Sequence, residues 1–194
     1  MCLWFQIIIV RVMSRIIIFF LILISNQAFS QNFAKVTVGE KAADFTLKSI
    51  DGNEVQFYQL LKSNPVVLIV LRGWPGYQCP VCTKQVGGLV ADAERFSELK
   101  AVVLMVYPGP SEQLQEHAVE FSEDYKFPEN FYFTLDPGYS MINKYGLRWD
   151  APNETAYPST FVISKKGEIV FSKISTTHGG RADNDEIFEA LGKL

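Results

Sequence analysis

Two cysteines separated by two residues, Cys79 and Cys82, stand in the run Gly73-Trp74-Pro75-Gly76-Tyr77-Gln78-Cys79-Pro80-Val81-Cys82. The chain's third cysteine, Cys2, lies far upstream. Residues three apart around the first turn of a helix can bring two sulfurs into bonding range. A bridge closing so small a loop restricts the unfolded chain very little, so chemistry explains the pair better than stability does. One thiolate attacks a substrate disulfide, and the second thiol resolves the mixed disulfide that results. Pro80 suits the first helical position, where its missing N–H is no loss. That places Cys79 at an exposed cap, where the helix dipole and unpaired N–H groups favour the thiolate. Cys82 then lies one turn inside.

The competing reading of such a pair is half of a zinc site. Zinc takes four ligands, and the sequence offers only His117 and His178 with no second cysteine pair. No metal is expected. No haem signature, glycine-rich nucleotide loop or flavin motif is visible either, so thiols alone are expected to carry the chemistry, without a cofactor. Trp74 and Tyr77 could rim the site for a peptide substrate, although aromatics in a strand-to-helix loop also serve packing. Asp44 reads either as a proton acceptor near the thiols or as a turn residue. His117 and His178 read as surface histidines, and Asn153-Glu154-Thr155 has the form of a glycosylation acceptor.

The elements that must position the thiols follow from periodicity. Val66-Val67-Leu68-Ile69-Val70-Leu71 is an unbroken aliphatic run, as in the centre of a parallel sheet, and it delivers the chain to the cysteines. Beyond them Cys82, Val86, Leu89, Ala93 and Phe96 share one helical face, predicting a helix over 80–99. Ala101 to Val106 reads as a second buried strand, Ser111 to Tyr125 as a helix, and Phe131 to Leu135 as a short strand. A further helix carries Met141, Ile142 and Tyr145. Earlier, Phe45 to Leu47 and Val55 to Phe57 flank the turn Asp51-Gly52, with one or two helical turns over 57–63. Thr160 to Ser164 and Glu168 to Lys173 form a hairpin about Lys165-Lys166-Gly167, and a helix over Asp183 to Leu194 follows. The expectation is an α/β fold, a central mixed sheet with helices on both faces.

With 194 residues, 48% of them hydrophobic, the chain can bury one good core. Basic residues are scattered and the net charge is −3, which argues against a nucleic-acid binder. Met13-Ser14-Arg15 precedes the apolar run Ile16 to Ile24, and Ala28-Phe29-Ser30 supplies small residues for cleavage before Gln31. Residues 1–30 therefore read as a secretory signal, with Met13 as a possible true start, and 31–194 as a single domain. The run is too short for a membrane span, which needs about 20 residues. A membrane association follows only if the segment stays uncleaved.

Tyr157-Pro158-Ser159-Thr160, ahead of Phe161-Val162-Ile163, resembles the thioredoxin superfamily. There a cis-proline beside the cysteine pair helps to hold substrate backbone. The resemblance casts Pro158 as that proline, with Tyr157 beside it in the substrate surface; a trans-proline opening an edge strand is the plainer alternative. Val38-Gly39-Glu40-Lys41-Ala42-Ala43-Asp44-Phe45-Thr46-Leu47, Leu135-Asp136-Pro137 and Tyr145-Gly146-Leu147 are similar to the peroxiredoxin branch, the alkyl hydroperoxide reductase C and thiol-specific antioxidant family. That likeness runs over nearly all of the chain after the signal, and it implies a thioredoxin-like fold. It also implies disulfide, thiol or hydroperoxide substrates and a thioredoxin-like reductant. Against the family's Pro-x-x-x-Thr-x-x-Cys, the segment from Pro75 places Cys82 at the peroxidatic cysteine and Cys79 at the threonine. The family's arginine ahead of the Ser/Ala-Thr-Phe strand falls on Pro158. The order of attack stays open: helix-end chemistry favours Cys79, and the alignment favours Cys82. With two peroxide-polarising groups replaced, disulfide exchange is expected to exceed peroxide reduction, unless Arg72 or Arg148 compensates.

Overall fold

The computed structural model describes residues 36–194. The expected signal segment and its cleavage point lie outside them. The aliphatic run is strand β3 (Val66–Val70), and its neighbour is β4 (Val102–Gly109). They pair in parallel with Val66 opposite Val102 and Val70 opposite Val106. Both strands are buried throughout, and the pleat divides their side chains between two cores. Val67, Ile69, Leu71, Val103, Met105 and Tyr107 face one core. Val66, Leu68, Val70, Val102, Leu104 and Val106 face the other.

Five further strands complete the sheet: β1 (Thr46–Ser49), β2 (Glu54–Gln56), β5 (Phe131–Pro137), β6 (Ser159–Ile163) and β7 (Ile169–Ile174). Their order is β2-β1-β5-β4-β3-β6-β7. β5 continues the parallel register on β4, whereas β6 runs antiparallel to both β3 and β7. The sheet is thus mixed, and β3 has one parallel and one antiparallel neighbour. The stretch before β1 is tied to the β6–β7 hairpin by the Gly39 and Ala42 N–H groups, which donate to the Ile169 and Gly167 carbonyls.

Helices cover both faces. α1 (Phe57–Leu61) and α5 (Ser140–Lys144) bury Phe57, Leu61, Met141 and Ile142 against one core. α2 (Pro80–Ala91), α3 (Ala93–Glu98), α4 (Leu114–Ser122) and α6 (Asn184–Leu191) cover the other. Among the described residues no helix is long and apolar enough to cross a membrane.

Most element boundaries differ from the sequence expectation by a few residues, and three helix boundaries differ in ways that bear on the packing. The helix expected over 80–99 breaks at Asp92, which leaves helical geometry at φ −99° and ψ 18°. There Asn184 Nδ2 reaches across from α6 to the Gly88 carbonyl and the Asp92 carboxylate. The helix expected from Ser111 starts at Leu114 instead, after Gln113 turns the chain through a left-handed conformation at φ 58° and ψ 3°, and β4 extends through Pro108 and Gly109, paired with Asp136 and Pro137. The last helix is shorter than expected and begins with a capping box: Asp183 accepts from the Glu186 N–H while the Glu186 carboxylate accepts from the Asp183 N–H.

Candidate active site

The loop between β3 and α2 starts at Gly73, and only glycine fits there. Its φ is +71°, and a Cβ would lie 1.8 Å from the Pro108 carbonyl oxygen. The chain leaves β3 pressed against the end of β4, with the Trp74 N–H donating to that carbonyl at 2.9 Å. Trp74 then stacks on His117 of α4 at 3.5 Å between ring centroids. Gln78 fixes the loop from the other side. Its Oε1 accepts from the buried Tyr107 hydroxyl at 2.8 Å, and its Nε2 donates to the His117 carbonyl at 2.9 Å and the Glu120 carboxylate at 3.1 Å.

Cys79 is the N-cap of α2, with extended backbone at φ −89° and ψ 110°, and Pro80 opens the helix. Both thiols are free. Contrary to the exposed cap expected from the sequence, Cys79 is only 3% exposed and Cys82 is fully buried. The covering segment follows β7. From it Arg181 reaches back, its Nη2 lying 3.4 Å from Cys82 Sγ and 3.9 Å from Cys79 Sγ. Its Nη1 donates to Gln85 Oε1 at 2.6 Å, and its Nε donates to the His178 carbonyl at 3.1 Å.

A second arginine lies in the loop. Arg72 is 1% exposed and pairs with Glu154 at 2.6 Å. It also donates to the Asn153 carbonyl and lies 4.8 Å above the Tyr77 ring. The other Glu154 oxygen meets His178 Nε2 at 2.8 Å. Burial opposes the Glu154 charge, but Arg72 and His178 outweigh it and hold the carboxyl below its ordinary value.

These surroundings separate the two thiols. A side-chain hydrogen bond from Cys82 pulls Cys79 down to about 5 against the cost of its burial, helped by the Cys82 backbone N–H, the charge of Arg181 and a hydrogen bond from Arg72. Burial pushes Cys82 well above the ordinary thiol value, and its hydrogen bond to Cys79 pushes the same way, although Arg181 opposes the rise. Cys79 is therefore the sulfur favoured as thiolate, and Cys82 the one favoured as thiol. The arrangement provides a nucleophile, an adjacent resolving thiol and two fixed cations.

The structure departs from the resemblance at Pro158. No peptide bond among the described residues is cis, so Tyr157–Pro158 is trans. Trans is the ordinary state of an X–Pro bond. The Pro158 carbonyl accepts from the Ser175 N–H at 2.9 Å, carrying the β6–β7 ladder one step further with the proline trans. Nor is this an edge, since β6 lies between β3 and β7. Tyr157 is buried and stacks on Trp149 at 4.9 Å. Of the two expected rim aromatics, Tyr77 is 46% exposed over Arg72, and Trp74 is half-buried against His117.

The remaining candidates separate as well. Arg148 is spent on the carbonyls of Trp149, Glu154 and Thr155. Asp44 caps the turn into α1, accepting from the N–H groups of Phe45 and Tyr58. Neither histidine is an unattached surface group, since His117 carries the Trp74 stack and His178 the Glu154 pair. Sequence reasoning did not single out Arg181, Gln85, Gln78 or Glu154. The one available signal was a basic residue directly after Gly179-Gly180.

Fold and paired thiols together define a thiol-dependent oxidoreductase of the thioredoxin-like α/β class. The AhpC/TSA family model matches residues 38–172, and the chain belongs to that family. It is 32% identical over 139 residues to the chloroplastic peroxiredoxin Q of Sedum lineare, covering 71% of this chain and 68% of that one. Across the chloroplastic peroxiredoxin Q relatives, the matched stretch covers as little as 58% of the relative's length. The thiol-disulfide oxidoreductase ResA of Halalkalibacterium halodurans is 24% identical over 132 residues, covering 68% of this chain and 65% of that one. Among solved structures, the peroxidoxin BcpB of Mycobacterium tuberculosis superposes with a TM-score of 0.63 at 21% identity, over 82% of this chain and 98% of that one. That last likeness bears on the fold.

Proposed function

We propose that this protein is an exported thiol-disulfide oxidoreductase in which Cys79 attacks and Cys82 resolves. The observation that carries the reading is the division of the two thiols, Cys79 drawn down to about 5 and Cys82 pushed up. In the reducing direction, Cys79 thiolate attacks a substrate disulfide; a Cys79–substrate bond forms and the first substrate thiolate leaves. Cys82 then loses its proton to solvent and attacks Cys79 Sγ. The internal disulfide closes and the second substrate thiolate departs. Two electrons pass to the substrate, and a thioredoxin-like reductant returns them. Thiols alone serve as the redox group, with no metal or cofactor. Export rests on the apolar run 16–24 and the small residues before Gln31.

Thiol peroxidase activity is a second reading with its own support. Cys82-Thr83-Lys84-Gln85 occupies the family's peroxidatic register, and Arg181 supplies beside Cys82 a cation of the kind that position 158 lacks. The burial of both sulfurs also suits small substrates.

Insulin disulfide reduction and hydroperoxide consumption, measured on wild type, Cys79→Ser and Cys82→Ser, separate the two. The proposal expects disulfide turnover that disappears in Cys79→Ser. Fast peroxide turnover that survives Cys79→Ser and disappears in Cys82→Ser overturns it in favour of the peroxidase.

A further inference from the structure

Two guanidinia act on Cys79, and one of them, Arg181, also reaches Cys82. Arg72 leaves the end of β3 beside Cys79, with its fork committed to Glu154 and the Asn153 carbonyl. Arg181 arrives from the opposite side, about a hundred residues later in the chain, and is nearer to Cys82 than to Cys79, 3.4 Å against 3.9 Å. Its remaining donors are taken up by Gln85, one turn beyond Cys82 on the same helix, and by the His178 carbonyl. The segment carrying it is itself tied down. The Ser175 hydroxyl bonds to the Thr177 and Gly179 carbonyls, His178 is paired to Glu154, and Asp183 caps α6 two residues beyond Arg181. A guanidinium held at two corners, with the third aimed at a fully buried thiol, is preorganised for a charge that has yet to form.

We propose that Arg181 is a catalytic residue of the resolving half-reaction, in which its guanidinium stabilises the Cys82 thiolate as that sulfur attacks the mixed disulfide on Cys79. The proposal rests on the order of attack given above. Cys82 must lose a proton inside a core that disfavours its anion, and a charge-assisted hydrogen bond from a fixed donor lowers that cost. Once Cys79 is bound to substrate its own charge is gone, and Arg181 has a single sulfur anion left to serve. The titratable and charged groups facing Cys82 are Cys79, Arg181 and the hydroxyls of Tyr107 and Tyr125. Among these, Arg181 alone is cationic.

The test is a single-turnover reaction of the fully reduced protein with an aromatic disulfide that releases a coloured thiolate. The first equivalent released reports attack by Cys79, and the second reports resolution by Cys82. Arg181→Gln is expected to leave the first phase within about threefold and to slow the second about tenfold or more, since a fixed donor to a forming charge is removed. It should also move the pH midpoint of the second phase upward. Arg181→Lys keeps the charge and should recover part of the rate, and Gln85→Ala, which frees the guanidinium, should slow the second phase less than Arg181→Gln. An unchanged second phase and midpoint in Arg181→Gln overturn the role of Arg181, as does equal slowing of both phases. Cys82→Ser is the control on the underlying order. Release of one equivalent upholds that order, whereas fast release from Cys79→Ser with none from Cys82→Ser removes the order itself, independently of Arg181.

Discussion

The hydrogen bond from Cys82 is the largest influence holding Cys79 at about 5, so deleting that donor should be felt as a titration shift. A hydrogen bond to a charged group contributes about 1.5–3 kcal/mol, and one pKa unit corresponds to about 1.4 kcal/mol. Cys82→Ala should therefore raise Cys79 by about 1–2 units, to about 6–7. At pH 6 the thiolate fraction would fall from about nine-tenths to between about one-half and one-tenth. Cys82→Ser keeps a donor at the same position and should stay near wild type. The assay is alkylation of the reduced protein by iodoacetamide between pH 4 and 9, with the modified cysteine located by mass spectrometry. The three proteins should converge at pH 9 and separate at pH 6, with Cys82→Ala slower by about two- to tenfold, in proportion to its thiolate fraction. Coincident profiles for Cys82→Ala and wild type would refute the argument. So would alkylation of wild type that falls first on Cys82.

Gly73→Ala should lower stability by about 3 kcal/mol or more, or roughly 6–12 °C in Tm, because its Cβ collides with backbone and its φ is positive; a thermal melt checks this. Asp183→Ala removes one half of a capping box and should cost about 1 kcal/mol, read by urea denaturation. The reduced protein should gain stability as pH rises from about 5 toward 9. In that window the unfolded Cys79 thiol binds a proton that the folded one does not, so the contribution is full above the ordinary value of 9.0 and lost as pH falls through about 5. Denaturation series on reduced wild type and Cys79→Ser should show this slope in the wild type alone.

The residues that announce themselves in the sequence are those whose partners lie nearby along the chain. Cys79, Pro80 and Cys82 mark a helix start, and the run from Val66 to Leu71 marks a strand buried on both faces. The β6–β7 hairpin is equally local, its turn set by Gly167 at φ +78°. What sequence reading misses is set by distant contacts. The break at Asp92 falls where Asn184 reaches in from a distant helix, and nothing in the helical spacing of 80–99 foretells it. The expectation of an exposed Cys79 considers only its own helix, whereas the cover comes from the segment that carries Arg181. Pro158 shows the reverse error. A family position suggests a cis peptide, and the ladder between the Pro158 carbonyl and the Ser175 N–H is made with a trans one. Replacing an arginine at one point in a sequence leaves no local trace of the arginine that reaches the same sulfurs from elsewhere.

Cys79 and Cys82 belong to the same packed cluster as Val86, Leu89, Phe96, Tyr107 and Phe188. Oxidation therefore joins two atoms of the interior, and a thermodynamic cycle ties the reduction potential to folding. Whatever the core gains or loses when the sulfurs draw together appears as a potential displaced from that of the unfolded chain, about 30 mV for each 1.4 kcal/mol. Trimming Leu89 or Phe96, neither of which carries any chemistry, retunes the couple to the extent that the cavity left behind is tolerated differently by the reduced and oxidised forms. In this protein the ease of giving up electrons is a property of the hydrophobic interior as well as of its thiols.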